Sequence, residues 1–233
     1  MQPVAFIWDA ISGEKLQRFK LPKGRKKITA IALSFDGKVV GMADAHYDPY
    51  VSFWDTKSGK LILEAKGGFY TIYGIAFPPI PGDYTCCTVG KQHICFWNHE
   101  KKSKLIGLYG KFRDQATSHA CAAYDQHGTV YTGGCNSKIF VWKNREVCGI
   151  LDHHGKGGFI SAICVSEGLL VSGSRDQTVC VFHLDEGVLM HRFKVESLVR
   201  AIDIMNNKML VGLRSGKILE FYSIDGSKFE TLM

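Results

Sequence analysis

The chain has 233 residues, 45% of them hydrophobic and 22% charged, and a formal net charge of +7 at pH 7. These proportions exclude a disordered chain and fit a globular one with a sizeable core, while the positive balance favours an acidic partner. No apolar run approaches the ~20 residues that span a bilayer, and residues 1–8 lack a signal-peptide pattern, so no membrane partner is expected.

The first predicted element is Val4-Ala5-Phe6-Ile7-Trp8, an alternating apolar strand ending in an aromatic. An outer strand at 15–21 and an apolar inner strand at 28–33 follow, and Asp36-Gly37 has the chemistry of a tight turn. The opening pattern then recurs at Val51-Ser52-Phe53-Trp54, Ile94-Cys95-Phe96-Trp97, Ile139-Phe140-Val141-Trp142, Val179-Cys180-Val181-Phe182 and Ile218-Leu219-Glu220-Phe221. The terminal aromatics are 46, 43, 45, 40 and 39 residues apart. Trp8-Asp9 and Trp54-Asp55 carry the WD dipeptide, which drifts to Trp97-Asn98, Trp142-Lys143 and Phe182-His183. A period of about 40–45 residues with this ending is the signature of a WD-repeat β-propeller.

In the unit ending at Phe182, 146–151 reads as the outer strand. Residues 159–165 read as an innermost strand buried on both faces, with 169–173 and 178–182 completing the unit. His127-Gly128, Glu167-Gly168 and Asn206-Asn207 read as tight turns, and no helical periodicity is evident. The expected fold class is all-β: an incomplete ring of five full four-stranded blades plus two strands of another, with 1–233 as a single partial domain. A fragment of a longer chain or a truncated gene product, prone to self-association through open edges, is the expectation. Stacking is the physical reason for the repeat, since a lone sheet cannot bury two apolar faces.

The structural markers of this pattern are Trp8, Trp54, Trp97, Trp142, Phe182 and Phe221. The blades of such proteins often link a His, a Ser or Thr, an Asp and the Trp. Asp stands six residues before the aromatic at Asp48 and Asp176, but Lys91, Asn136 and Ser215 take that slot elsewhere. The last full set, His153 or His154 with Ser172 and Asp176, meets Phe182, which has no donor.

At Gly90-Lys91-Gln92-His93-Ile94-Cys95-Phe96-Trp97 the chain resembles the echinoderm microtubule-associated protein-like family, in the N-terminal of its two joined propellers. Gly107-Leu108-Tyr109-Gly110-Lys111-Phe112, the long turn from Asp44 to Asp55, and Val199-Arg200-Ala201-Ile202 with Leu210-Val211-Gly212 are similar to it in the same order. The family's segment upstream of the propeller and its second propeller are absent from this sequence. The resemblance implies a cytoskeletal role, with a propeller face binding tubulin or other partners.

No GxSxG, HExxH or P-loop pattern is present, so no enzyme and no cofactor are expected. His153-His154 and Cys86-Cys87 are adjacent pairs pointing to opposite sides, so no metal site is expected. The eight cysteines form no CxxC pair and mostly have apolar neighbours, the pattern of buried free thiols in a cytoplasmic protein.

Loops at one end of the strands hold fifteen Lys and Arg against six Asp and Glu, a larger excess than that of the whole chain. The candidate partner-binding residues on this basic face are Lys23, Arg25, Lys26, Lys27, Lys91, Lys111, Arg113, Arg175 and Arg214. Lys101, Lys102 and Lys104 lie at the opposite end and read as a solvated turn. The expected function is a non-catalytic scaffold of the cytoplasmic cytoskeleton, binding tubulin or microtubules. A WD-repeat scaffold of another complex is the alternative. A nucleic-acid-binding propeller ranks lower, because no stacking motif accompanies the charge.

Overall fold

The computed structural model describes residues 2–45, 48–100, 104–112, 117–223 and 229–231. They fall into two compact units, Met1–Gly110 and Lys111–Met233.

The first unit opens with a two-stranded sheet of β1 (Val4–Trp8) and β2 (Lys15–Lys20). Two four-stranded sheets follow. One holds β3 (Ile28–Leu33), β4 (Val39–Asp44), β5 (Tyr50–Asp55) and β6 (Leu61–Lys66). The other holds β7 (Ile72–Ala76), β8 (Cys86–Gly90), β9 (His93–Glu100) and β10 (Lys104–Tyr109).

The second unit has three four-stranded sheets. They are β11 (His119–Tyr124) to β12 (Val130–Gly134), β13 (Ile139–Lys143) and β14 (Glu146–Leu151); β15 (Ile160–Ser166) to β16 (Leu169–Ser174), β17 (Thr178–His183) and β18 (Leu189–Lys194); and β19 (Val199–Met205) to β20 (Lys208–Leu213), β21 (Ile218–Ser223) and β22 (Phe229–Thr231). Every sheet is antiparallel in chain order, so the described strands make five four-stranded sheets and one of two strands, the count that the repeat predicts.

Two local expectations need correction. The sheets are offset by one strand from the sequence unit, because 146–151 pairs with β13 rather than joining the strands that lead to Phe182. The first strand is also not the buried one. β15 is only half-buried along much of its length, whereas β4, β8, β12 and β16 are buried throughout. The reason is topological: the first strand is a sheet edge, paired on one side, and the second is paired on both.

The turns follow their chemistry. Glu167-Gly168 and Asn206-Asn207 take positive φ at both residues, as a two-residue hairpin loop requires. Asn144-Arg145 does the same without a glycine.

Apolar clusters lie between consecutive sheets of each unit. Phe19 and Leu21 pack on Met42 and Trp54, and Phe53 packs with Ile72 and Trp97. In the second unit Tyr131 and Ile139 pack on Phe182, and Val181 packs with Val199 and Phe221. Side chains alternate faces along a strand, so the marker aromatic faces the preceding sheet and the residue before it faces the following one. Trp8 holds the same position on the two-stranded sheet of β1 and β2. It is 57% exposed rather than packed in a layer.

Candidate docking surface

The marker residues form buried polar networks whose make-up changes from sheet to sheet. Register pairs the residue two before each aromatic with one position on the second strand. That position is Met42, Thr88, Thr132, Ser172 and Val211 in turn. Where it carries a hydroxyl and the marker is Trp, the indole donates to it: Trp97 Nε1 to Thr88 Oγ1 at 2.9 Å, and Trp142 Nε1 to Thr132 Oγ1 at 2.8 Å. Trp54 faces Met42 and donates instead to Ser52 Oγ on its own strand, at 2.9 Å.

A histidine completes three networks, each from a different place. His93 Nε2, at the start of β9, lies 2.8 Å from Thr88 Oγ1. His119 Nδ1, at the start of β11, lies 3.0 Å from Thr132 Oγ1. His154, in the loop before β15, bridges Thr178 Oγ1 and Ser172 Oγ at 2.8 Å each. Burial pushes His93 down to about 4 and lowers His154, the latter opposed in part by Asp176. Burial works to raise Asp176, but the hydroxyl of Thr178 and the amides of Gly155 and Thr178 outweigh it and hold the carboxyl below its ordinary range. Ser172, His154 and Asp176 would make a nucleophilic triad in an open cleft. Here Ser172 is fully buried, so the set holds strands together. Phe182 is buried over it and His153 rests against the Phe182 ring.

Asp48 and Asp176 each lie two residues before the third strand of their sheet, and the connection between β4 and β5 is two residues longer than that between β16 and β17. Asp44, at the end of β4, accepts the Tyr50 amide at 3.0 Å. Asp176 does the same for Thr178 at 2.9 Å. Asp48 pairs with Lys66 at 3.3 Å.

The candidate basic residues divide by partner. In the first unit, residues 22–27, 45, 48–49, 67–71 and 91–92 lie at one end of the strands. Backbone bonds stitch them together: Ala45 N to Lys27 O, Gly67 N to Pro49 O and Lys91 N to Thr71 O. Lys23, Lys26 and Lys27 are exposed and form no ion pair with a described residue. Arg25 departs from the expectation of a free cation. Its side chain is only 11% exposed, pairs with Asp44 at 3.1 Å and Glu64 at 3.4 Å, and stacks on Tyr50. Lys91 is exposed, with its ammonium 5.9 Å from the Tyr70 ring.

In the second unit Lys111 pairs with Glu146 at 2.8 Å, and Arg175 stacks on Phe159. Arg214 is exposed. Arg113 lies outside the described residues, as do Lys101 and Lys102. Among the described residues no group of three His, Cys, Asp or Glu is placed to hold a metal ion. The eight cysteines are free; Cys135 and Cys148 are exposed, against the expectation of buried thiols.

Comparison with known proteins agrees with this architecture. The model of the WD domain, G-beta repeat, matches residues 145–183. The chain is 36% identical over 232 residues to the ciliary WD repeat-containing protein ctxp80 of Euplotoides octocarinatus, covering 99% of this chain and 32% of that protein. It is 28% identical over 192 residues to the 77 kDa echinoderm microtubule-associated protein of Lytechinus variegatus, covering 79% and 28%. It thus spans about a third of the length of these relatives. Among solved structures, a chain of the crystal structure of the mitotic checkpoint complex matches with a TM-score of 0.82, covering 100% of this chain and 71% of that one. At 11% identity that likeness concerns the fold alone. The chain is a WD-repeat β-propeller chain, resembling the echinoderm microtubule-associated protein-like family and the ciliary WD-repeat proteins.

Proposed function

We propose that residues 1–233 act as one non-catalytic docking domain of the cytoskeleton, whose basic loop binds an acidic surface of tubulin or microtubules. The observation that carries this is the loop at 22–27. Asp44 and Glu64 are held by Arg25 and Asp48 by Lys66, so these three carboxylates of the same sheet and its loops are already paired. Lys23, Lys26 and Lys27 stand in excess on a loop that Arg25 anchors. Three cations this close repel one another, and an acidic partner relieves that repulsion. The names of the relatives, one ciliary and one microtubule-associated, support the same class of partner.

The test is co-sedimentation with microtubules. Changing Lys23, Lys26 and Lys27 together to Glu should lower the bound fraction at least about tenfold and leave the circular dichroism spectrum unchanged, because each such contact adds a salt-sensitive electrostatic term. Lys57→Glu with Lys60→Glu, in the turn at the other end of the same sheet, should bind as the parent does. Undiminished pelleting of the triple variant, or equal loss in the control, overturns the proposal.

A further inference from the structure

Three aromatic side chains stand exposed beside the basic loop. Phe69, at the tip of the 67–71 connection, is 83% exposed, Tyr109 is 54% exposed and Tyr70 is 43% exposed. Large apolar groups on solvated loops cost free energy unless a partner covers them, and a cluster of them marks an interaction surface. Tyr109 is also held in place. Gly68 has φ +100, and a Cβ there would collide with the Tyr109 hydroxyl, so Tyr109 lies directly over the loop backbone. The Tyr109 ring meets the buried His93 edge-on at 5.7 Å, and Lys91 flanks Tyr70.

The position relative to the lysines defines the ligand. Residue 27 leads into β3 and residue 67 leaves β6, the first and fourth strands of one sheet. Three strand spacings separate them, about 14 Å, which an extended peptide crosses in roughly four or five residues. Lys91 adds a cation on the aromatic side, so both ends of that span favour negative charge.

We propose that Phe69, Tyr70 and Tyr109 form an aromatic seat for one large apolar or aromatic side chain of an extended acidic peptide. The acidic residues of that peptide, about four or five positions away, lie on Lys23, Lys26 and Lys27. This rests on the basic-loop reading above and names the kind of segment that the loop takes. Charge gives the encounter and its salt sensitivity; the seat gives register and an increment that salt does not screen.

Fluorescence anisotropy with short labelled glutamate-rich peptides tests this, one carrying a single Phe and one with that Phe replaced by Ala. The Phe peptide should bind the chain roughly two- to tenfold tighter, at low and at moderate salt alike. Phe69→Ala, an exposed and tolerated change, should erase that difference and leave the Ala peptide's affinity unchanged. Gly68→Ala, which displaces Tyr109, should reduce it. The triple lysine variant should weaken both peptides equally. Equal affinity of the two peptides for the parent chain, failure of both to bind, or a difference that survives Phe69→Ala overturns the aromatic seat. Microtubule pelleting that remains lysine-dependent in those cases keeps the basic-loop reading intact.

Discussion

Thr88 serves two buried neighbours with one hydroxyl. It accepts from Trp97 Nε1, and His93 Nε2 is placed to take its proton. Thr88→Val keeps the shape but strands an indole donor and a ring nitrogen, each costing about 1–3 kcal/mol when buried. Urea denaturation should show a loss of that order, larger than for Thr29→Val on half-buried β3. His93 also sets a pH response. Its folded value near 4 lies below the unfolded value of about 6.5, so between these the unfolded chain binds a proton that the folded chain excludes. Stability should be full above about pH 6.5 and fall as the pH drops, by about 3 kcal/mol at pH 4 from this group alone. His154 adds to the same trend. Thermal melts from pH 7 to pH 4 check this, and His93→Gln should flatten the slope. Little of this was legible beforehand. Spacing from the aromatic located Asp176 and Ser172, but it could not show that three histidines reach their hydroxyls from three different segments, because strand register decides that.

Strand-level legibility was uneven for physical reasons. The aromatic endings fixed the third strands, because alternation and bulk survive drift of the dipeptide. Burial of the first strands is not legible in the sequence, because an apolar run does not reveal whether a strand is paired on one side or two. Sheet-to-sheet spacing was also invisible. Gly133, on β12, faces the first strand of the next sheet, and a Cβ there would lie 2.6 Å from the Ile160 side chain. Gly133→Val should therefore cost about 1–3 kcal/mol by overpacking. The same change at Gly149, whose nearest atoms are 3.6 Å away, should cost less. Chemical denaturation of the two variants separates these cases. Glu167 shows a second link between neighbours: its carboxylate accepts the amides of Asn206 and Asn207, at 2.6 and 3.0 Å, so one hairpin turn caps the next.

At the scale of the molecule, a count of loop cations does not give the field they make. Arg25, Lys66, Lys111, Lys138 and Lys217 each sit within 3.4 Å of a carboxylate brought close by the fold. Such pairs join residues 14 to 39 apart in the chain, and composition cannot foresee them. Lys91 and Arg214 stay exposed as single cations, while Lys23, Lys26 and Lys27 are three exposed lysines within one loop, and this is why the charge-reversal test concerns that loop rather than a whole surface. The repeat period, by contrast, carried the fold almost unaided, because each sheet must present two apolar faces and the chain writes that requirement anew every 40 residues or so.

The one-strand offset between repeat and sheet has a consequence for how such a chain gains or loses repeats. The matched segment 145–183 begins with β14, the last strand of one sheet, and ends with β17, the third strand of the next. Excising residues 144–183 would join Lys143 to Leu184 and deliver β18 to β13, in place of the strand removed. No sheet would be left short, and the next sheet would follow in phase. A genetic unit cut out of step with the folded one heals its own seam, so whole repeats can be deleted or duplicated without creating a raw edge.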